Sequence, residues 1–209
     1  MAAVLKDLSH LPAPAAVQQL HHYAYKARDA EETRHFYEDI LGLPLYHIIQ
    51  SDYVPSTGEY CPYTHFFFRL LDGSFIAFFD LGDDEAALPS PNTPLWVNHI
   101  SFRVNTEQEL ENTKARLQAH GVDVLGVTDH HIFKSIYFFD PNGIRLELTA
   151  QLADAAQMQR ESTTARARLD EWTARKAQWR AERAAGQTSD ALKPAHNDRP
   201  EFVPGSAEA

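Results

Sequence analysis

The chain has 209 residues, with 44% hydrophobic and 23% charged side chains, a single cysteine and a formal net charge of −10. One cysteine excludes an internal disulfide framework and any all-cysteine metal site, and the acidic balance argues against nucleic acid as the main partner. There is no apolar run of transmembrane length and no secretory leader pattern, so the expectation is a cytoplasmic protein with no membrane partner.

The charge is uneven. Residues 151–209 hold nine Lys/Arg and nine Asp/Glu, so the whole acidic excess lies in the first 150 residues, together with ten of the eleven histidines. Residues 1–17 are rich in Ala and Pro and read as an irregular segment. Residues 18–150 alternate strand-like and helix-like patterns. Residues 153–184 read as one amphipathic helix, and 186–209 as an extended or disordered tail broken by prolines.

In chain order, LHHYAYKARD is a strand pattern and AEETRHFYEDILG a helix closed by Gly42. The runs LPLYHIIQ, THFFFRLL and SFIAFFDL follow as strands, with Asp72-Gly73 at the last turn and residues 51–64 read as a loop. The order then repeats after a second loop at 82–95. VNHISFRVN is a strand, and TEQELENTKARLQAHG a helix opened by a Thr106/Glu109 capping-box spacing. VDVLGVT, KSIYFFD and IRLELTA follow as strands, with Asp140-Pro-Asn-Gly143 at the last turn. Each half therefore reads βαβββ, over about 18–82 and 96–150. The predicted fold class is α+β, with paired βαβββ modules forming a cupped mixed sheet and a C-terminal helical extension.

Alternation assigns the faces. Ile100, Phe102 and Val104 point one way, and His99, Ser101 and Arg103 the other; Ile144, Leu146 and Leu148 oppose Arg145, Glu147 and Thr149. Superposing the halves by their glycines puts His22 and His99 at one position, and Glu147 opposite Ala77. Two imidazoles and one carboxylate on strands lining one cup form a facial triad that holds a divalent first-row metal and leaves positions open. A hydrogen-bonded core histidine is the plainer alternative for each histidine taken singly.

HHYAYKARDAEETRHFYEDILGL, NHISFRV and DHHIFKSIYFFDPNGIRLEL together resemble the vicinal oxygen chelate superfamily. That superfamily includes glyoxalase I, the type I extradiol dioxygenases, methylmalonyl-CoA epimerase, and the fosfomycin and bleomycin resistance proteins. The resemblance covers about 18–150. It implies metal positions at His22, Ala77, His99 and Glu147, of which Ala77 cannot ligate. Three ligands with that gap resemble the extradiol dioxygenases and the fosfomycin-resistance thiol transferases. By the same resemblance Tyr137 contacts a metal-bound substrate oxygen and His130 reaches over the site, with His131 as its competitor. The acid-base histidine of many extradiol enzymes falls on Ser74, and His65 is the compensating candidate.

The expected function is an Fe2+- and O2-dependent oxidation or ring cleavage of a small, chelating, catechol-like aromatic. The alternatives are a Mn2+ or Zn2+ isomerase, lyase or thiol transferase of the glyoxalase type, and a drug-binding resistance protein. Phe67, Phe75, Phe78, Phe79 and Phe139 are expected to divide between core and an aromatic pocket wall. Cys61 and His65 are too few for a zinc site, and His120 suits a helix C-terminus. Met158, Ala165, Leu169, Trp172 and Trp179 form an apolar stripe on the last helix. It is expected to pack on its own barrel or across a homodimer.

Overall fold

The computed structural model describes residues 16–88, 90 and 92–186. The segment 1–15 and most of the tail from 187 onward, read above as irregular and extended, lie outside the described residues.

Eight strands form two four-stranded mixed sheets of one topology. In the first module β1 (His22–Ala27), β2 (Leu45–Tyr53), β3 (Tyr60–Arg69) and β4 (Phe75–Asp80) lie in the order β1-β4-β3-β2. In the second, β5 (Ile100–Val104), β6 (Leu125–Asp129), β7 (Phe133–Phe139) and β8 (Arg145–Gln151) lie in the order β5-β8-β7-β6. In both sheets the first and last strands pair in parallel and the remainder antiparallel. A parallel pair needs a crossover, and the helix after the first strand begins it.

Asp29 caps the first helix by accepting from the Glu32 amide. The helix is regular only over α1 (Ala30–Arg34); His35–Ile40 widens into π-helical turns before Gly42 ends it at φ +77°. In the second module α2 (Glu107–Ala119) carries the capping box that the Thr106/Glu109 spacing predicts.

One core holds both modules. Phe36, Tyr37, Phe66, Phe68, Ile76 and Phe78 from the first join Leu110, Leu117, Ile136, Phe138, Leu146 and Leu148 from the second. A buried polar clasp crosses the same boundary at the β7–β8 turn. The Tyr37 hydroxyl donates to Asp140 Oδ2 at 3.0 Å, while the Asn142 and Ile144 amides donate to Oδ1 at 2.9 and 2.8 Å. Asn142 Oδ1 accepts the Arg28 amide at 2.8 Å, and its Nδ2 donates to Thr33 Oγ1 at 3.1 Å. Burial pushes the Asp140 carboxyl up to about 6, although these hydrogen bonds pull the other way.

Two expectations change. The stretch 51–64, read as a loop, is mostly a continuation of β2 and β3, which pair out to Tyr53 and Tyr60 around a tight turn at Gly58. The β-favouring Tyr53, Tyr60 and Tyr63 outweigh the polar residues between them. The last helix, α3 (Ala155–Ala184), buries none of its residues, so packing on its own barrel is not what the structure shows.

Candidate metal centre

Strand register tests the equivalence drawn from the glycines. Ala24 pairs with Ala77 in the first sheet, and Ser101 with Glu147 in the second. His22 and His99 each lie two residues before those partners, so the two histidines are equivalent and Ala77 occupies the position of Glu147. Phe67 pairs with Ala77 as Tyr137 pairs with Glu147. Each histidine meets its counterpart ring edge-on, His22 with Phe67 at 5.6 Å and His99 with Tyr137 at 6.1 Å between centroids.

His99 and Glu147 are brought together. His99 Nε2 lies 3.1 Å from Glu147 Oε2, with the imidazole one-third exposed and the carboxylate almost wholly buried. His99 Nδ1 donates to the Val97 carbonyl at 3.0 Å, which orients the ring so that Nε2 is the atom facing the carboxylate. Glu147 Oε1 is buried with no hydrogen-bond donor. Burial pushes the Glu147 carboxyl up, but the hydroxyls of Ser135, Tyr137 and Ser101 and the His99 ring outweigh it, so the group sits below its ordinary value. None of those hydroxyls meets hydrogen-bond geometry to Oε1. An unpartnered buried carboxylate oxygen and an imidazole nitrogen converging beside it are donor types that a divalent cation accepts.

His130 and Tyr137 are also brought together, with His130 Nε2 and the Tyr137 hydroxyl 2.8 Å apart. Burial, then the Glu147 carboxylate, pushes the Tyr137 phenol up, so it stays protonated and able to donate. The Arg145 guanidinium lies over the ring of Tyr137 at 4.4 Å. His131 takes a left-handed conformation (φ +70°), and its amide donates to Asp129 Oδ1 at 2.7 Å.

His22 is not gathered with His99 and Glu147. It stands on the other sheet, exposed, with its Nδ1 2.7 Å from His21 Nδ1 and its ring 6.1 Å from that of His65. Among the described residues, no three His, Cys, Asp or Glu side chains come close enough to hold a metal ion. His65 is buried and stacks on Phe79 at 3.7 Å. Its Nδ1 donates to the Phe78 carbonyl at 2.9 Å, which leaves Nε2 as an acceptor. Burial is the largest influence on His65 and pulls it below the usual histidine range. Ser74 is tied into its turn by Asp72, at 2.7 Å from Oγ to Oδ1.

The aromatic residues divide as expected for some. Phe78 is core, while Phe67, Phe75 and Phe79 share the His22 and His65 side of the first sheet. The hydroxyls of Ser101 and Thr149, which alternation puts on the polar face, are linked at 2.8 Å, and Ser135, which the sequence analysis did not single out, joins Thr149 at 3.1 Å. Its signal was available in the strand alternation that puts all three on the Glu147 face.

A family model described as the glyoxalase/bleomycin resistance protein/dioxygenase superfamily matches residues 19–148. A putative ring-cleaving dioxygenase, MhqA of Bacillus subtilis (strain 168), is 38% identical over 53 residues, which are 25% of this chain and 17% of that protein. The chain thus spans about a sixth of that relative. The metallothiol transferase FosB of Staphylococcus saprophyticus is 29% identical over 148 residues, covering 69% of this chain and 85% of that protein. Among solved structures, a glyoxylase/bleomycin resistance protein/dioxygenase domain from Frankia sp. EAN1pec is similar at a TM-score of 0.53. It is 17% identical, with 65% of this chain and 99% of that one covered. With a family model matched over most of its length and this sheet topology, the chain belongs to the glyoxalase/bleomycin resistance protein/dioxygenase superfamily.

Proposed function

We propose that the chain is a metal-dependent enzyme of small-molecule oxidation. In this reading His99 and Glu147 hold a divalent cation, Fe2+ first, together with His22 of a second copy of the chain. The observation that carries it is Glu147 Oε1, buried without a donor beside the carboxylate oxygen that meets His99 Nε2. His22 is the strand-for-strand equivalent of His99, yet it stands on the other sheet. A two-fold pair of chains lets each His22 meet the His99 and Glu147 of the other copy. When bound, the cation would supply Lewis-acid and redox chemistry toward a chelating substrate and O2.

The remaining roles belong to the chain's own side chains. The Tyr137 hydroxyl donates to a substrate oxygen and exchanges its proton with His130 Nε2, 2.8 Å away. Neutral His65, with Nε2 as acceptor, is a second base beside His22. Phe67, Phe75 and Phe79 offer an apolar wall that suits a catechol-like ring.

Elemental analysis of anaerobically purified protein beside Glu147→Ala tests the reading, followed by oxygen-electrode assays over a catechol panel. Near-stoichiometric iron that is lost in the variant, with uptake of O2 on adding a catechol, is the expected result. Absence of uptake by Fe2+-loaded protein across the panel contradicts oxidation.

A second reading uses the same residues with Mn2+ or Zn2+ for isomerisation or thiol addition. It is favoured by the similarity to FosB over 148 residues and by Ser74 where extradiol enzymes carry an acid-base histidine. Turnover under strict anaerobiosis, with Mn2+ or Zn2+ bound, would select it.

A further inference from the structure

Among the described residues, two apolar features stand out from the body without a partner. The first is the β2–β3 hairpin. β3 pairs with β4 only from Thr64 to Arg69, whereas the β2–β3 ladder continues to Tyr53 and Tyr60. The hairpin therefore projects past its sheet as an arm, exposing Ile48, Ile49, Tyr53 and Tyr60. The second is α3, about 45 Å long at the usual helical rise. Met158, Leu169 and Trp172 are exposed on it. Trp172 and Trp179 meet edge-on at 5.3 Å, with the Arg175 guanidinium 5.7 and 5.1 Å from their rings. A monomer seldom leaves two such patches in water.

Charge and connectivity point to one pairing. Residues 155–184 carry seven Lys/Arg and four Asp/Glu, in a protein whose first 150 residues are strongly acidic. The only charged residues from 50 to 60, at the end of the arm, are Asp52 and Glu59. Around the Leu169–Trp179 stripe stand Arg175, Lys176, Arg180 and Arg168, the last paired with Glu161, against Asp170 and Glu171. The arm leaves the module that carries His22, and α3 leaves the strand that carries Glu147. These are the two modules that a shared metal centre brings face to face. We propose that α3 of each copy docks on the β2–β3 arm of the other, setting its Met/Leu/Trp stripe against Ile48, Tyr53 and Tyr60. This rests on the second-copy reading of the metal centre. It makes the C-terminal helix a clamp across the dimer.

The single cysteine of the chain, Cys61, lies on the arm and provides the test. Arg168→Cys and Thr173→Cys place a thiol on either side of the stripe while leaving the stripe itself intact. Each full-length variant is treated with a short bismaleimide, with and without Cys61→Ser, and its mass in solution is measured by light scattering. The expected result is a covalent dimer as the main product from at least one position, abolished by Cys61→Ser. A covalent dimer that survives Cys61→Ser means that the helices pair with each other, and overturns the proposal. A link within one chain overturns it in favour of docking on the chain's own arm. A dimer by mass with no Cys61 link at either position overturns the docking and leaves the shared centre standing. A monomer by mass overturns both.

Discussion

His99 Nε2 and Glu147 Oε2, 3.1 Å apart, converge on a single point that a proton or a metal cation can occupy. The Val97 carbonyl fixes the orientation of the ring, and the unpartnered Oε1 extends the demand for positive charge. Tyr137 works beside that pair rather than in it. Tyr137→Phe removes the hydroxyl that His130 contacts and leaves both ligand groups untouched. We expect a fall in kcat of about 100-fold, the lower end of acid-base contributions, with metal content unchanged. Loss of metal in that variant would make Tyr137 structural. At this scale much was legible in the sequence. The glycine spacing aligned His22 with His99 and Glu147 with Ala77, and the register agrees. The Tyr137–His130 contact was not legible, because a loop histidine can point anywhere until the turn is built.

Elements were legible where local chemistry decides them. Thr106 and Glu109 cap α2 because the reciprocal bonds need only their own spacing. The glycines that end helices do so in left-handed backbone for the same reason. The π-helical turns at His35–Ile40 had no such signal, and neither did the length of the β2–β3 arm. Gly126 in β6 shows how an element can depend on a contact remote in sequence. It sits at φ +111°, and a Cβ there would lie 2.7 Å from the backbone oxygen of Ser135 on β7. Gly126→Ala should therefore cost about 2 kcal/mol, since neither strand can yield without loosening the other. A urea midpoint unchanged from wild type would show that the β6–β7 pair has slack.

The two modules of one chain are held by a shared core and by the buried Asp140 clasp, rather than by a common sheet. This was the part the sequence could not supply. A βαβββ repeat fixes each module, but either partner for the open faces, the sister module or another chain, satisfies the same pattern of alternation. The clasp has a pH signature of its own. Asp140 ionises at about 6 in the folded protein, above its ordinary value of 3.8. A raised carboxyl contributes its full stability below the unfolded value and loses it as pH rises through the folded one. Between pH 4 and 6 the wild type should lose on the order of 3 kcal/mol from this group relative to Asp140→Asn, and nothing more above that window. Denaturant titrations of both proteins across that range check the prediction. Parallel profiles would mean that the carboxyl stays ionised in the clasp.

The central claim is that one metal centre draws on two chains. Mixing His22→Ala with Glu147→Ala protein tests it directly, after unfolding and refolding the two together. Neither variant alone should retain stoichiometric metal. In a statistical mixture half the dimers are hybrid, and each hybrid rebuilds one centre from His22 of one chain and His99 with Glu147 of the other. The mixture should then recover about a quarter of the wild-type metal content. Recovery at that level would establish the shared centre. No recovery, from a mixture shown to contain hybrid dimers, would contradict it and return the triad to a single chain.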